Sequence, residues 1–197
     1  MDKSKLGIIG IAGTNGSGKD TLGHILSQHN YLFISVTELL RDECKRRNII
    51  ADRENLRIIS AEWRRESGLG VLVDKAKAEY DKVSSKYVGL AIASLRNPGE
   101  ADRVHELSGT VIWLDADPKL RYKRVQDSSQ HRSHRADEDN KTFEEFLAEE
   151  QVEMHASGDE ATLDMAAVQD RADISIDNSH DKTADFKVHI EELLDLN

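Results

Sequence analysis

A three-layer α/β/α domain built on a parallel five-stranded sheet is the fold the sequence predicts. Three observations predict it: short apolar runs rich in β-branched residues, polar stretches of helical spacing between them, and a glycine-rich loop after the first run. The runs lie at 6–12, 31–36, 87–93 and 110–114, with a weaker fifth at 173–176, and each reads as a strand buried on both faces. Helical spacing occupies 21–28, 38–47, 53–66, 71–83 and 118–126, so strands alternate with helices and the sheet must be parallel. Residues 143–152 read as a further amphipathic helix, with Phe143, Phe146, Leu147 and Glu150 near one face and its carboxylates facing solvent.

The chain has 197 residues, 38% of them apolar, which suits a single domain over 1–197 with a small insert. Its formal net charge of −10 argues against nucleic acid as a partner, because such surfaces cluster Lys and Arg to displace counterions. One cysteine, Cys44, permits no intrachain disulfide, and with no export signal or run of about 20 apolar residues the sequence predicts a cytoplasmic protein without a membrane partner. Cys44 itself reads as a helical thiol without a positioned base. A monomer and a homodimer are equally compatible with the sequence.

The strongest signal is Gly13-Thr14-Asn15-Gly16-Ser17-Gly18-Lys19, which fits G-x-x-x-x-G-K directly after a strand and before a helix. Such a P-loop needs glycines so that successive N–H groups turn inward around a β-phosphate at the positive end of the next helix. Lys19 then reaches the β- and γ-phosphates, so ATP with Mg²⁺ is the expected ligand. The position after the lysine, usually Ser or Thr for Mg²⁺, is Asp20, followed by Thr21. Either Thr21 binds the metal or Asp20 does so through water.

Beyond the loop, the segment Ile34-Ser35-Val36-Thr37-Glu38-Leu39-Leu40-Arg41 resembles the Ser-Thr-Gly-Asp-x-Leu-Arg segment of adenylate kinase-like nucleoside monophosphate kinases. That resemblance makes Arg41 a grip for the acceptor phosphate, with Ser35, Thr37 and Glu38 in the same pocket, inside an acceptor-binding helical region at about 37–83. Ser94-Leu95-Arg96-Asn97-Pro98-Gly99-Glu100 is similar to the Asp-Gly-x-Arg segment of the same superfamily, so Arg96 matches a phosphate-binding arginine. Its position at the carboxyl end of a strand independently suits a ligand contact.

From Val111 through Asp115, Arg121 and Arg124 to Ala172-Asp173-Ile174-Ser175-Ile176-Asp177-Asn178, the chain resembles dephospho-CoA kinases. Those proteins carry an Arg-rich helix, a lid, then Ala-Asp-x-x-Ile-x-Asn and a C-terminal helix. The resemblance implies nucleotide contact at Asn178. Arg121 and Arg124, three apart on one helical face, would meet the ATP phosphates. Residues 127–141, almost without apolar side chains, read either as a solvated loop or as a mobile lid bringing Arg132 and Arg135 to phosphates. His131 and His134 read as solvated lid residues, and no Cys/His spacing suggests zinc.

Two departures qualify the resemblance. Thr37 and Ala93 stand where relatives carry an aspartate, leaving Glu38 or Asp20 to supply a carboxylate. Trp63 with Arg64 and Arg65 reads either as packing or as the border of the acceptor pocket. The expected function is transfer of the γ-phosphoryl group of ATP to a small nucleotide-like acceptor, a nucleoside monophosphate first and dephospho-CoA second. The competing class is an ATP-binding regulatory protein with weak or no transfer.

Overall fold

Strand β1 (Ile8–Gly13) lies at the middle of the sheet because both its faces are apolar: Ile9 and Ile11 point to one side, Ile8 and Ala12 to the other. The structure is a computed structural model that describes residues 7–129, 141–155, 158–180 and 182–196. It has β2 (Tyr31–Ser35), β3 (Gly89–Leu95), β4 (Thr110–Asp115) and β5 (Ile174–Asp177) in the order β2-β3-β1-β4-β5, every pair parallel.

The helices are α1 (Lys19–Gln28), α2 (Val36–Arg47), α3 (Arg53–Ser67), α4 (Val71–Asp81), α5 (Pro98–Glu106), α6 (Pro118–Ser129), α7 (Phe143–Met154), α8 (Met165–Gln169) and α9 (Thr183–Leu193). Leu22, Ile25 and Leu26 of α1 and Phe186 and Ile190 of α9 cover one face of the sheet. Leu40 and Cys44 of α2, Ile59 of α3, Leu72 and Ala76 of α4, Ala101 and Val104 of α5 and Val168 of α8 cover the other. The expected three-layer α/β/α arrangement is therefore present. Strands sandwiched this way bury both faces, which is why they read as continuous apolar runs. Cys44 is buried in that second layer, and burial pushes its thiol pKa up.

Three helices escaped the periodicity argument, the C-terminal α9 being expected only from the family resemblance. Helix α5 starts at Pro98 after an Asn97 N-cap, and Glu100 reaches back to the Asn97 N–H at 3.2 Å to complete a capping box. Helix α8 is five residues long, too short to show a period. Trp63 packs against the apolar core with the Lys75 ammonium 4.0 Å from its ring centroid, so it does not border the cleft. Among the described residues no helix is long and apolar enough to cross a membrane.

This topology decides where a ligand can sit. The chain leaves β1 toward β2 and β3, then crosses to β4 and β5 on the other side. In open parallel sheets the crevice at that reversal, beyond the carboxyl ends of the strands, is the ligand site. Gly13, Ser94, Arg96 and Asp115 all lie at that edge.

Candidate nucleotide and acceptor site

The loop from Gly13 to Lys19 is pressed between three elements, and its glycines are what allow it. At Gly13 the backbone has φ +140°, and a Cβ would fall 2.0 Å from the Leu114 carbonyl oxygen. Gly18, at φ +102°, would place one 2.4 Å from the Asn178 side-chain amide. Both combine a left-handed backbone with backbone or side-chain contact that no L residue could accept without displacing its neighbours.

The Thr14 N–H donates to Leu114 O at 3.2 Å, and its hydroxyl donates to Asp115 Oδ1 at 2.7 Å. Asn178 Nδ2 donates to Ser17 O at 2.8 Å, tying the turn after β5 to the loop. Ser17 Oγ and Asn178 Oδ1 are buried polar atoms beside the loop without a hydrogen-bond partner among the described residues. The glycine geometry and the unpartnered Ser17 hydroxyl, which can donate, fit a loop that takes up an anionic ligand.

Lys19 folds its amine back onto Gly13 O at 2.9 Å and Thr14 O at 2.6 Å. Loss of water around the amine, and then the charge of Arg96, lower its pKa to about 8. A phosphate in the loop supplies the opposite charge and restores the protonated form. ATP binding at about pH 9 is therefore expected to take up close to one proton, falling toward zero at about pH 7. Calorimetry in buffers of different ionisation enthalpy measures this, and Lys19→Ala should abolish the uptake.

Asp20 and Thr21, in the first turn of α1, both line the cleft beside the loop. Mg²⁺ in phosphoryl-transfer sites draws most of its ligands from phosphates and water. A hydroxyl at Thr21 and a carboxylate at Asp20 are donors that fit such an ion.

The cleft encloses about 940 Å³ and runs from the loop to α2, α3, α7 and the turn after β5. Ser35, Thr37, Glu38 and Arg41 line it, with Arg41 paired to Glu38 one helical turn earlier. Arg96 lines it from the end of β3, and Arg124 and Asn178 from the loop side. Arg124 donates to Asn178 O and His180 O, both at 2.9 Å, and its partial burial lowers its pKa. Apart from Ser17 and Arg121, the sequence-derived donor-side and acceptor-side residues among those described line one cavity. Arg132, Arg135, His131 and His134, and most of the 127–141 segment, lie outside the described residues.

Arg121 departs from its expected place at the phosphates. Its side chain is 2% exposed, and it is paired with Glu150 on α7, 3.3 Å from Asp115 Oδ1 and bonded to Ala116 O at 2.9 Å. It ties α6 to the loop, donating to Asn15 O at 3.3 Å, and to α7 through Glu150. The helical spacing that put Arg121 and Arg124 on one face carries no information about which of them turns inward.

The largest revision concerns α7. Glu149, Glu150 and Glu153 line the cleft instead of facing solvent. Glu149 pairs with Arg53 at 2.8 Å and with Lys141, and Glu153 pairs with Arg57 and Arg96, each at 2.8 Å. The sequence signal was there: positions 149, 150 and 153 share the face of buried Phe146. Arg53, Arg57 and Arg64 also line the cavity and carry no motif.

Ser94 was missed as well. It sits at φ +72°, where the β1–β3 register slips between Ile11 and Ala12, and this bulge presents it to the cleft beside Ala93.

Residues 9–153 match the model of a family described as an AAA domain. A UPF0200 protein of Pyrobaculum aerophilum is 26% identical over 193 residues, covering 96% of this chain and 97% of the relative. Shikimate kinase from Bacteroides thetaiotaomicron superposes with TM-score 0.55 at 15% identity, over 96% of this chain and 98% of that one. A gluconokinase from Sinorhizobium meliloti does so with TM-score 0.50 at 14% identity, over 96% and 92%. The two structural likenesses give the fold, a P-loop kinase-like one.

Proposed function

The chain belongs to the AAA domain family, and from that premise we propose that it is a small-molecule kinase moving the γ-phosphoryl group of ATP to a nucleotide-like acceptor. One observation carries the reading: the glycine loop with Lys19 and the arginine-lined acceptor side open onto the same cleft. Phosphoryl transfer asks mainly for in-line positioning and neutralisation of charge, and this cleft brings both kinds of residue together.

In this reading the loop amides and Lys19 hold the β- and γ-phosphates, and Arg124 and Asn178 border the nucleotide. Arg41 and Arg96 hold the acceptor, with Ser35, Thr37 and Glu38 beside it. Mg²⁺, when bound near Thr21 or Asp20, neutralises charge on the donor oxygens. Arg121 fixes the loop, and Arg132 and Arg135 add charge from the 127–141 segment. The fold neighbours named for shikimate and gluconate kinases support the reaction class. The Ser35–Arg41 and Arg96 segments favour a nucleoside monophosphate as acceptor, and the segment ending at Asn178 favours dephospho-CoA as the second choice.

A regulatory ATP-binding role is the second reading. The glutamate pairing of Arg57 and Arg96, together with Thr37 and Ala93 where carboxylates are expected, favours it.

The test is Mg-ATP with each nucleoside monophosphate, dephospho-CoA, shikimate and gluconate in turn, following ADP release and identifying the product by mass. A phosphorylated product supports the kinase reading and identifies the acceptor. Tight ATP binding with no product from any acceptor moves the assignment to the regulatory reading.

A further inference from the structure

The acceptor half of the cleft contains a carboxylate that no part of the loop chemistry uses. Glu153, in the last turn of α7, accepts from Arg57 Nη2 at Oε1 and from Arg96 Nη1 at Oε2, both at 2.8 Å. Its side chain is 14% exposed, while those of Arg57 and Arg96 are 47% and 31% exposed, and all three line the cavity. Burial raises the Glu153 pKa, but Arg96, Arg57 and the more distant charge of Arg53 outweigh it and hold the pKa below the usual carboxylate value.

Each arginine thus gives Glu153 a single N–H, although a guanidinium carries five donors and favours bidentate contact with an oxyanion. The position is also electrostatically continuous with the donor side, since Arg96 and Glu153 both act on the Lys19 ammonium. A carboxylate held singly by two arginines on the wall of the cleft that Lys19 also lines marks a place for an anion.

We propose that Glu153 is a resident stand-in for an oxyanionic group of the acceptor, and that Arg57 and Arg96 receive that group once the Glu153 side chain turns away. This makes Arg57 an acceptor-specificity residue and restricts acceptors to molecules carrying a phosphate or carboxylate. The word acceptor rests on the kinase reading; the anion site does not.

The test loads the full chain with Mg²⁺ and β,γ-imido-ATP, so that the donor phosphates are occupied, and titrates inorganic phosphate in one arm and acetate in another. Glu153→Gln keeps the side-chain volume but replaces charge-assisted bonds with neutral ones, so the preferred anion should bind about tenfold more tightly than to wild type. Adding Arg57→Gln, a change at a half-exposed position, should remove that gain. In Glu153→Gln nucleotide affinity should change much less than anion affinity. Tighter phosphate binding indicates a phosphorylated acceptor, and tighter acetate binding a carboxylated one.

Anion affinity within about twofold of wild type in Glu153→Gln, well short of the change expected for a lost charged bond, overturns the proposal. So does a gain that survives Arg57→Gln. The expected anion result without phosphorylated product in the acceptor assay leaves this site standing and removes the kinase reading. Product formation with a flat anion titration does the reverse.

Discussion

Replacing Lys19 with alanine should lower kcat for phosphoryl transfer by on the order of 10²- to 10³-fold, the usual cost of removing one charged donor from a transferring group. The same substitution should not destabilise the protein, and the contrast is the diagnostic part. In the folded chain Lys19 is a poorly hydrated amine whose pKa is lowered to about 8 from an ordinary 10.5. The unfolded chain therefore binds more protons at this group between those values. By linkage this group's contribution to stability rises as pH increases through that window, the reverse of a lysine that gains a partner. Lys19→Ala removes that rise. Thermal or urea unfolding at about pH 7 and about pH 10 measures it: wild type should gain relative to the variant on going to the higher pH. Equal pH slopes, or a variant much less stable at neutral pH, would mean that Lys19 supports the loop instead of waiting for phosphate.

What could be read from the chain was what is local. The glycine loop was legible because the motif, the preceding strand and the following helix are contiguous, and the glycines have a steric reason that the Leu114 and Asn178 contacts supply. Four strands were legible as uninterrupted apolar runs, whereas edge strand β5 alternates Ile174 and Ile176 with exposed Ser175 and Asp177 and gave only a weak run. Helix α5, only nine residues long, shows no clear period, although Asn97, Pro98 and Glu100 at N-cap, N1 and N3 spell a helix start. The α7 glutamates were illegible as partners because each meets a residue far away in sequence, Glu153 reaching Arg57 and Arg96. Helical periodicity gives a face and no partner. Ser94 had no signal at all, since a left-handed serine in a strand follows from the slip in pairing with β1.

The same limit governs the buried pair Arg64–Glu100, whose disruption should have the largest effect on stability. Arg64 is 2% and Glu100 0% exposed at the side chain. Arg64 donates to Glu100 Oε1 through Nη2 at 2.6 Å and Nε at 3.2 Å, and to Ala161 O at 2.9 Å. The other oxygen of Glu100 accepts the backbone N–H of Arg96 at 2.7 Å and of Asn97 at 3.2 Å. One carboxylate therefore joins α3 to the start of α5 and fixes the backbone from which Arg96 enters the cleft. Arg64→Ala leaves that carboxylate buried without its cation, and should cost about 3–5 kcal/mol in urea unfolding. A total stability of roughly 5–15 kcal/mol would survive this, with little to spare. Arg64→Ala with Glu100→Gln removes both charges while the glutamine oxygen keeps the two backbone N–H contacts. The double variant should therefore recover at least about 1 kcal/mol of the single variant's loss, a non-additivity that only directly coupled groups show. Because Glu100 acts on Arg96 through its backbone N–H, Glu100→Ala, which removes that contact, should raise the KM for the acceptor more than that for ATP. A double variant no more stable than Arg64→Ala would mean that the packing of the arginine stem, and not its charge, holds α3 against α5.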